Sequence, residues 1–395
     1  MIPYISAIIK KLYTTVRLAI PDHVRHILLL FIATRSALTL IGVASRVLLA
    51  PYHGHEFVWR YSKHLWLDIW AVWDAGWYLD ISKNGYAMHL LSDLPKYVDP
   101  GQNSTGFFPL YPLLIAIIGF ACKSHLVAGI IVSNICLLAS AWLLYKLILL
   151  DFTEADSRRG VTYLFVFPSA FVLSAVYAES LFLFLSLLLW YLFRKKRFTG
   201  MFFTGIFMGL SRPAAMFVLP ALFFAYCKNI NFLWRKIDWK IFAFLGIPLG
   251  YILFSWYEFR LSGDWLCYEH IKQAAWGSVW SNPLSVLANC VTSRNISALL
   301  NGMAIAGASV IVLVFYKYIS LEYTLLGISL LLLPMTAGSM VVPGMMRYAS
   351  AVFPVFIACA IAGRNQSVNT FLTSLFLLLQ GFLMVFWCNG FSLII

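Results

Sequence analysis

Residues 199–227 read TGMFFTGIFMGLSRPAAMFVLPALFFAYC, and whether that run is one helix or two decides which way every later segment faces. Ser211-Arg212-Pro213 interrupts it, because proline disfavours helical backbone at the residue before it. The run therefore divides into spans at 199–210 and 213–227. The loops support the division. With it, an N-terminus inside and about eleven crossings, the inner loops hold sixteen Lys and Arg, among them Arg194, Lys195, Lys196, Arg197, Lys228, Arg235 and Lys236. The much longer outer loops hold ten. As a single helix, the run would move Lys228, Arg235 and Lys236 outside, against the positive-inside bias of short loops.

Working outward, the other apolar runs lie at 27–50, 126–149, 161–177, 180–193, 241–257, 298–316, 321–335, 349–363 and 369–391. An unbroken helix over 161–193 would be about 50 Å long at ~1.5 Å per residue, too long for a hydrocarbon core of ~30 Å. It is split at Tyr177-Ala178-Glu179. The run at 27–50 exceeds a signal-peptide core and reads as a retained first helix. Of 395 residues, 61% are hydrophobic and 11% charged, against roughly 25% charged in soluble domains. The fold class is an all-α polytopic membrane protein, with residues 1–395 as one multispanning domain. Two large outer loops cover 51–125 and 258–297. The net charge of +13 sits in short loops, which fits topology control and anionic lipid rather than nucleic acid. Seven cysteines show no CxxC spacing; Cys267 and Cys290 share an outer loop and are within reach of pairing. The histidines have no ligand spacing, and no metal site is expected.

This parity puts ten of the sixteen acidic residues on the outer face. In the first outer loop, Trp66, Trp70, Trp73 and Trp77 follow a helical spacing of four, three and four, which predicts an amphipathic helix in the membrane interface. Asp68, Asp74 and Asp80 are six residues apart, about 240° around a helix, so no two share a face. Asp74 lies within the Trp stripe, four residues before Tyr78, and is the candidate base; Asp68 and Asp80 read as solvated aspartates. Phe107-Phe108-Pro109-Leu110-Tyr111-Pro112 reads as a re-entrant or interfacial turn. Glu179 is an ionisable group flanked by apolar runs, a functional candidate by default. Arg212 and Arg347 are isolated cations at helix ends. Their planar forks suit phosphate, with snorkelling to headgroups as the competing reading. Arg35 lies inside the first span and is expected to satisfy an internal partner. The loop Gly263 to Gly277 mixes Trp265, Tyr268 and Trp276 with Asp264, Glu269, His270 and Gln273, a composition that suits sugar faces and hydroxyls.

Six motifs occur in one order over about 70–355: WDAGWYLDISKNGY, FFPLYPLL, AVYAESLFLFL, GLSRPAA, GDWLCYEHIKQAAWG and PGMMRYASAVFP. Together they resemble the PIG-V-like mannosyltransferases, the family of the second mannosyltransferase of GPI-anchor synthesis and its prokaryotic relatives. The resemblance implies a GT-C-type fold and inverting transfer of mannose from polyprenyl- or dolichyl-phosphate mannose to a glycolipid or other glycan acceptor. Transfer would occur on the extracytoplasmic or luminal face of a bacterial cytoplasmic or endoplasmic reticulum membrane. By that resemblance Asp74 is catalytic, and Glu179 and Arg347 match the family's later acidic and basic positions. Trp73, Trp77, Tyr78, Asp80, Arg212, Gln273 and Trp276 join them as substrate-binding candidates. Membrane lipids and the lipid-phosphate donor are the expected partners, with no obligatory cofactor. Two alternatives stand beside this: a GT-C transferase of another sugar, and a lipid or small-molecule transporter. A transporter would pair broken helices in two related halves, and the chain shows no internal repeat.

Overall fold

The computed structural model describes residues 21–49, 60–87 and 101–393. The basic residues Lys10, Lys11 and Arg17, and Glu56, Asp93, Lys96 and Asp99 of the first outer loop, lie outside these ranges. Among the described residues the regular structure is helical throughout. The order begins α1 (Asp22–Leu49), α2 (Leu65–Asp68), α3 (Ala75–Asn84), α4 (Leu110–Cys122), α5 (His125–Ile148) and α6 (Glu154–Val166). It continues with α7 (Glu179–Arg194), α8 (Phe198–Gly209), α9 (Leu219–Asn229), α10 (Gly246–Ser262), α11 (Cys267–Trp276) and α12 (Pro283–Val291). Last come α13 (Ile296–Val314), α14 (Tyr316–Ile319), α15 (Leu321–Leu332), α16 (Met345–Ala349), α17 (Phe353–Ala362) and α18 (Gln366–Cys388).

Six helical segments among the described residues are long and apolar enough to cross a bilayer: α1, α5, Trp239–Ser262, α13, Leu321–Ala349 and α18. Three shorter apolar helices, α4, α8 and α17, accompany them. The chain is a polytopic all-α membrane protein. The spans read from sequence exceed these in number because several are cut short. α8 and α9 are separated at Ser211-Arg212-Pro213, as expected, with a 3-10 turn over Pro213–Val218. The long α helices present apolar side chains outward, such as Leu40, Phe120 and Leu378, and turn polar ones inward, such as Arg35, Ser45 and Arg46. That distribution suits a lipid surround.

The division of 161–193 differs from expectation in its position. α6 ends at Val166, before Phe167-Pro168, and the chain runs irregularly through a 3-10 turn at Ala170–Ser174 until α7 starts at Glu179. Pro168 disfavours helix at Phe167, so the break begins ten residues before the expected one. This stretch is buried almost throughout, and its backbone groups need partners in a site without water. Arg35 supplies several: it donates to the Phe165 carbonyl at 3.3 Å, the Ala170 carbonyl at 2.9 Å and Ser174 Oγ at 3.0 Å. Gln380 Nε2 donates to the carbonyls of Phe165 and Phe167, and Ser133 Oγ to that of Ala175.

A second constraint sets the relation of α8 to α10. Gly205 and Gly209 face Gly246 and Gly250, a small-xxx-small pair on each helix that lets the backbones touch. A Cβ on Gly209 would come within 2.2 Å of the Ile247 carbonyl oxygen, and one on Gly250 within 2.2 Å of the Ile206 oxygen. This contact sits two residues before Ser211-Arg212, so it places the break against the helix that leads into α11.

The two ends of the bundle differ. Glu179 opens α7 and Arg194 closes it, roughly 23 Å apart at ~1.5 Å per residue. At the Arg194 end lie the pairs Arg194–Asp151 and Lys228–Glu322. Cations assigned to the inner loops are thus found together. At the other end, the Trp stripe does not form one helix. α2 stops at Asp68 and α3 starts at Ala75; Trp66 is exposed, whereas Trp70 and Trp77 are buried. Phe107–Pro112 is not a turn either. Pro109 is the N-cap of α4 and Pro112 lies in its first turn, where an N–H has no helical partner. Asp68 is no solvated aspartate: it is fully buried, pairs with Arg46 at 2.9 Å, and accepts from the Tyr61 and Ser62 amides. Cys267 and Cys290 are both free thiols.

Replacing Arg35 with Met removes donors from three acceptors of the interrupted segment. The expected loss is about 1–3 kcal/mol, read as a lower midpoint of thermal unfolding in detergent. An exposed control such as Lys195→Met should leave the midpoint in place.

Candidate active site

The site is built on three breaks in helical structure. The first is the turn before α3. Trp73 has φ of 53°, a left-handed conformation that costs a bulky residue roughly 1–2 kcal/mol, and Asp74 follows at the N-cap of α3. An N-cap aspartate ordinarily accepts from the first helical amides; Asp74 makes no such bond. Its carboxylate accepts instead from Arg347 Nη1 at 2.8 Å. The turn is held from beneath by the interrupted segment: the Val176 amide donates to the Trp70 carbonyl at 2.9 Å, and Tyr177 Oη to that of Val72 at 2.8 Å.

The second break is the interrupted segment itself, which delivers Glu179 to the first turn of α7, where the helix dipole favours a carboxylate. Glu179 is 1% exposed, and its Oε1 lies 2.9 Å from Arg212 Nη1 and 2.9 Å from Arg347 Nε. These are charge contacts whose angles fall outside hydrogen-bond geometry. Two carboxylates and two guanidiniums thus alternate: Asp74, Arg347, Glu179, Arg212. The third break, at Ser211-Arg212-Pro213, supplies the last member. Arg347 comes from α16, which is pinned where Asn301 Oδ1 accepts from the Met346 amide and Ser169 Oγ donates to the Met346 carbonyl. Tyr348 joins the two cations, with its ring 4.5 Å from the Arg212 guanidinium and 5.2 Å from that of Arg347; the ring of Tyr177 lies 4.7 Å from Arg347.

A cleft of about 410 Å³ opens on this cluster. Asp74, Tyr78, Arg212, Gln273 and Arg347 line it, so residues from four separate stretches of sequence meet at one cavity. Its lining also includes the apolar side chains of Phe182, Phe217, Leu330, Pro334, Met340 and Val341. Burial pushes the Tyr78 phenol above its ordinary range, so the ring is neutral at pH 7. Glu179 does not line the cleft; it stands beneath as the anion shared by both arginines.

The other candidates are placed elsewhere. Trp73 forms the strained turn. Trp77 is buried, stacked on Phe107 at 5.4 Å between ring centres. Asp80 is buried and accepts from Asn84 at 2.8 Å, so neither the solvated reading nor a position on the cleft wall applies to it. Trp276 packs against Phe107 and Trp77 and crowds Gly106, where a Cβ would fall 2.8 Å from the indole. Arg212 and Arg347 are held in buried ion pairs, so snorkelling does not describe them. Glu269, one of the polar residues of the loop that suits sugar hydroxyls, is on the cleft wall, and so are Tyr348 and Lys272, which the sequence reading did not single out. The only signal for those two was adjacency: Tyr348 follows Arg347, and Lys272 shares α11 with Gln273.

No family profile matches the sequence, and no curated protein sequence does. Among solved structures, the chain is similar to the crystal structure of the Archaeoglobus fulgidus oligosaccharyltransferase in complex with zinc and sulfate, at 13% identity and a TM-score of 0.42. The match covers 91% of this chain and 53% of that one, so this chain spans about half that protein's length.

Glu179→Gln removes the anion that both buried arginines share. Breaking a buried pair typically costs about 3–5 kcal/mol, so unfolding in detergent should shift accordingly. Asp264→Asn, at an exposed pair, should cost less than about 1 kcal/mol.

Proposed function

We propose that this chain is an inverting GT-C-type glycosyltransferase that moves mannose from polyprenyl- or dolichyl-phosphate mannose to a glycolipid or other glycan acceptor. The single observation that carries the reading is one cleft whose lining combines the Asp74–Arg347 ion pair and Arg212 with a set of apolar side chains. A lipid phosphate carrying a sugar has that same polarity: an apolar chain, an anionic joint and a hydroxyl-rich head. The ordered motifs that resemble the PIG-V-like family narrow the sugar to mannose and the donor to a polyprenyl monophosphate.

In this reading Asp74 is the base. Its carboxylate takes the proton of an acceptor hydroxyl, the oxygen attacks the anomeric carbon from the face opposite the phosphate, and the bond from that carbon to the phosphate oxygen breaks. The electron pair leaves with the lipid monophosphate, and the new glycosidic bond has inverted configuration. Such a base contributes typically 10²–10⁴-fold. Arg347 holds the Asp74 carboxylate in place and, with Arg212, supplies positive potential towards the departing phosphate. Glu179 keeps both guanidiniums fixed. Tyr78 and Gln273 offer hydroxyl and amide groups to the sugar, while Trp73, Trp77, Asp80 and Trp276 shape the wall from behind. A monophosphate leaving group needs less neutralisation than a nucleotide diphosphate, so no metal is called for. The positive-inside count supports an extracytoplasmic or luminal setting for this end of the bundle, in a bacterial cytoplasmic or endoplasmic reticulum membrane. The same cleft shape would serve another sugar on the same kind of donor, since mannose and glucose differ at a single stereocentre.

The test is transfer of radiolabelled mannose from purified polyprenyl-phosphate mannose to a lipid acceptor fraction. Wild type should transfer, and Asp74→Asn should lose about 10²–10⁴-fold while still unfolding in one cooperative transition. Equal transfer by both would remove Asp74 from the base role, and transfer of a different sugar alone would overturn mannose.

A further inference from the structure

The two arginines at the cleft are already committed. Arg347 has Nη1 on Asp74 and Nε against Glu179, and Arg212 has Nη1 against Glu179. A third cation, Lys272, faces the same cleft and is held differently. It makes no ion pair within 4.0 Å of a carboxylate among the described residues. Its ammonium lies 4.0 Å from the centre of the Trp276 ring, 4.9 Å from that of Phe107 and 5.8 Å from that of Tyr268. Three ring faces therefore fix the ammonium by cation–π attraction without neutralising it. Gly106 makes the cage possible: a Cβ there would sit 2.8 Å from the Trp276 ring and 3.5 Å from Lys272 Nζ. The ammonium has three donors and needs an acceptor, and rings are poor acceptors. What remains open to it is the cavity.

We infer that Lys272 is the direct binding contact for a phosphate monoester in the cleft, with the ring cage of Trp276, Phe107 and Tyr268 pre-setting the ammonium. This rests on the proposed function and deepens it: Arg347 and Arg212 hold the carboxylates, and Lys272 takes the anion. A lysine suits the task as a compact charge with rotatable donors, able to follow the phosphate as its ester bond breaks. Lys272 is partly buried, and enclosure of its ammonium lowers its pKa to about 8, with Asp74 and Glu269 raising it and Arg347 and Arg212 lowering it. A bound phosphate restores the charged form. The charged groups that act on it are Asp74 and Glu269 on one side and Arg347 and Arg212 on the other. The Tyr268 phenol is raised well above its usual range by burial. A phosphate monoester has its second pKa near ~6 and is a dianion above that. Loss of anion binding at mildly alkaline pH thus belongs to Lys272.

The experiment uses the full chain in detergent or nanodiscs and three probes: farnesyl phosphate, farnesol and inorganic phosphate. Wild type should bind farnesyl phosphate at pH 7, lose affinity by up to about tenfold per unit above pH 8, and bind farnesol with no such dependence. K272M should bind farnesyl phosphate at least tenfold more weakly and farnesol as wild type does. K272R should keep phosphate binding and lose the decline above pH 8. K272M binding farnesyl phosphate as tightly as wild type would overturn the assignment, while leaving the transferase reading standing on its own transfer assay. K272M losing farnesol together with the phosphate would also overturn it, since that marks a structural role. Inorganic phosphate bound as tightly as farnesyl phosphate would show a free-phosphate site instead of a lipid headgroup. Wild type binding neither phosphate would overturn this inference and the lipid-phosphate donor together.

Discussion

Glu179 is buried at the head of α7, and an unpaired carboxylate in that position would be too costly to keep. That constraint reaches across the fold. The anion requires cations from two remote stretches, so α16 must bring Arg347 and the 211–213 break must bring Arg212 to one point. Once Arg347 is held there, its remaining edge meets Asp74. The reactive carboxylate is therefore positioned by a charge chain that starts at a buried structural residue.

Interrupted helices are what make the chain geometrically available. An α helix hides its polar backbone and sends side chains sideways, and at membrane depth it leaves no room for groups to converge. Each of the three breaks ends a helix where a charged side chain is needed. The backbone polarity this exposes is met by groups committed to it: the Arg35 and Gln380 side chains for the segment after α6, and the Tyr177 hydroxyl and Val176 backbone amide for the turn before α3. Polar side chains far from the cleft are thus part of the same arrangement. Rigidity at the breaks is what keeps the alternating charges within 3 Å of one another.

Aromatic rings do a second job beside burial. Tyr348 and Tyr177 flank the arginines, and Trp276, Phe107 and Tyr268 surround Lys272. Rings hold cations without cancelling them, whereas carboxylates both hold and cancel. The cleft uses each where it suits: carboxylates for the two arginines, rings for the lysine.

The amino-acid sequence by itself determined the class of protein, the break at Ser211-Arg212-Pro213 and the candidate carboxylates and arginines. Hydropathy, proline and isolated charges are local signals, and each is readable from a few neighbouring residues. It also showed that 161–193 had to be interrupted, because a helix that long does not fit a bilayer. Pro168 marks locally where that interruption starts; only the tertiary structure decided how its carbonyls are satisfied, by Arg35 on α1 and Gln380 on α18. The Trp stripe read as a surface helix because spacing carries no information on which rings will be covered by α11 and the Phe107 turn. Asp68 looked solvated for the same reason: its burial depends on Arg46, a partner that the neighbouring sequence does not contain. Lys272 is the clearest case. Tyr268 and Trp276 flank it at the helical spacing of four, but Phe107 joins them only when Gly106 lets Trp276 close over the first loop.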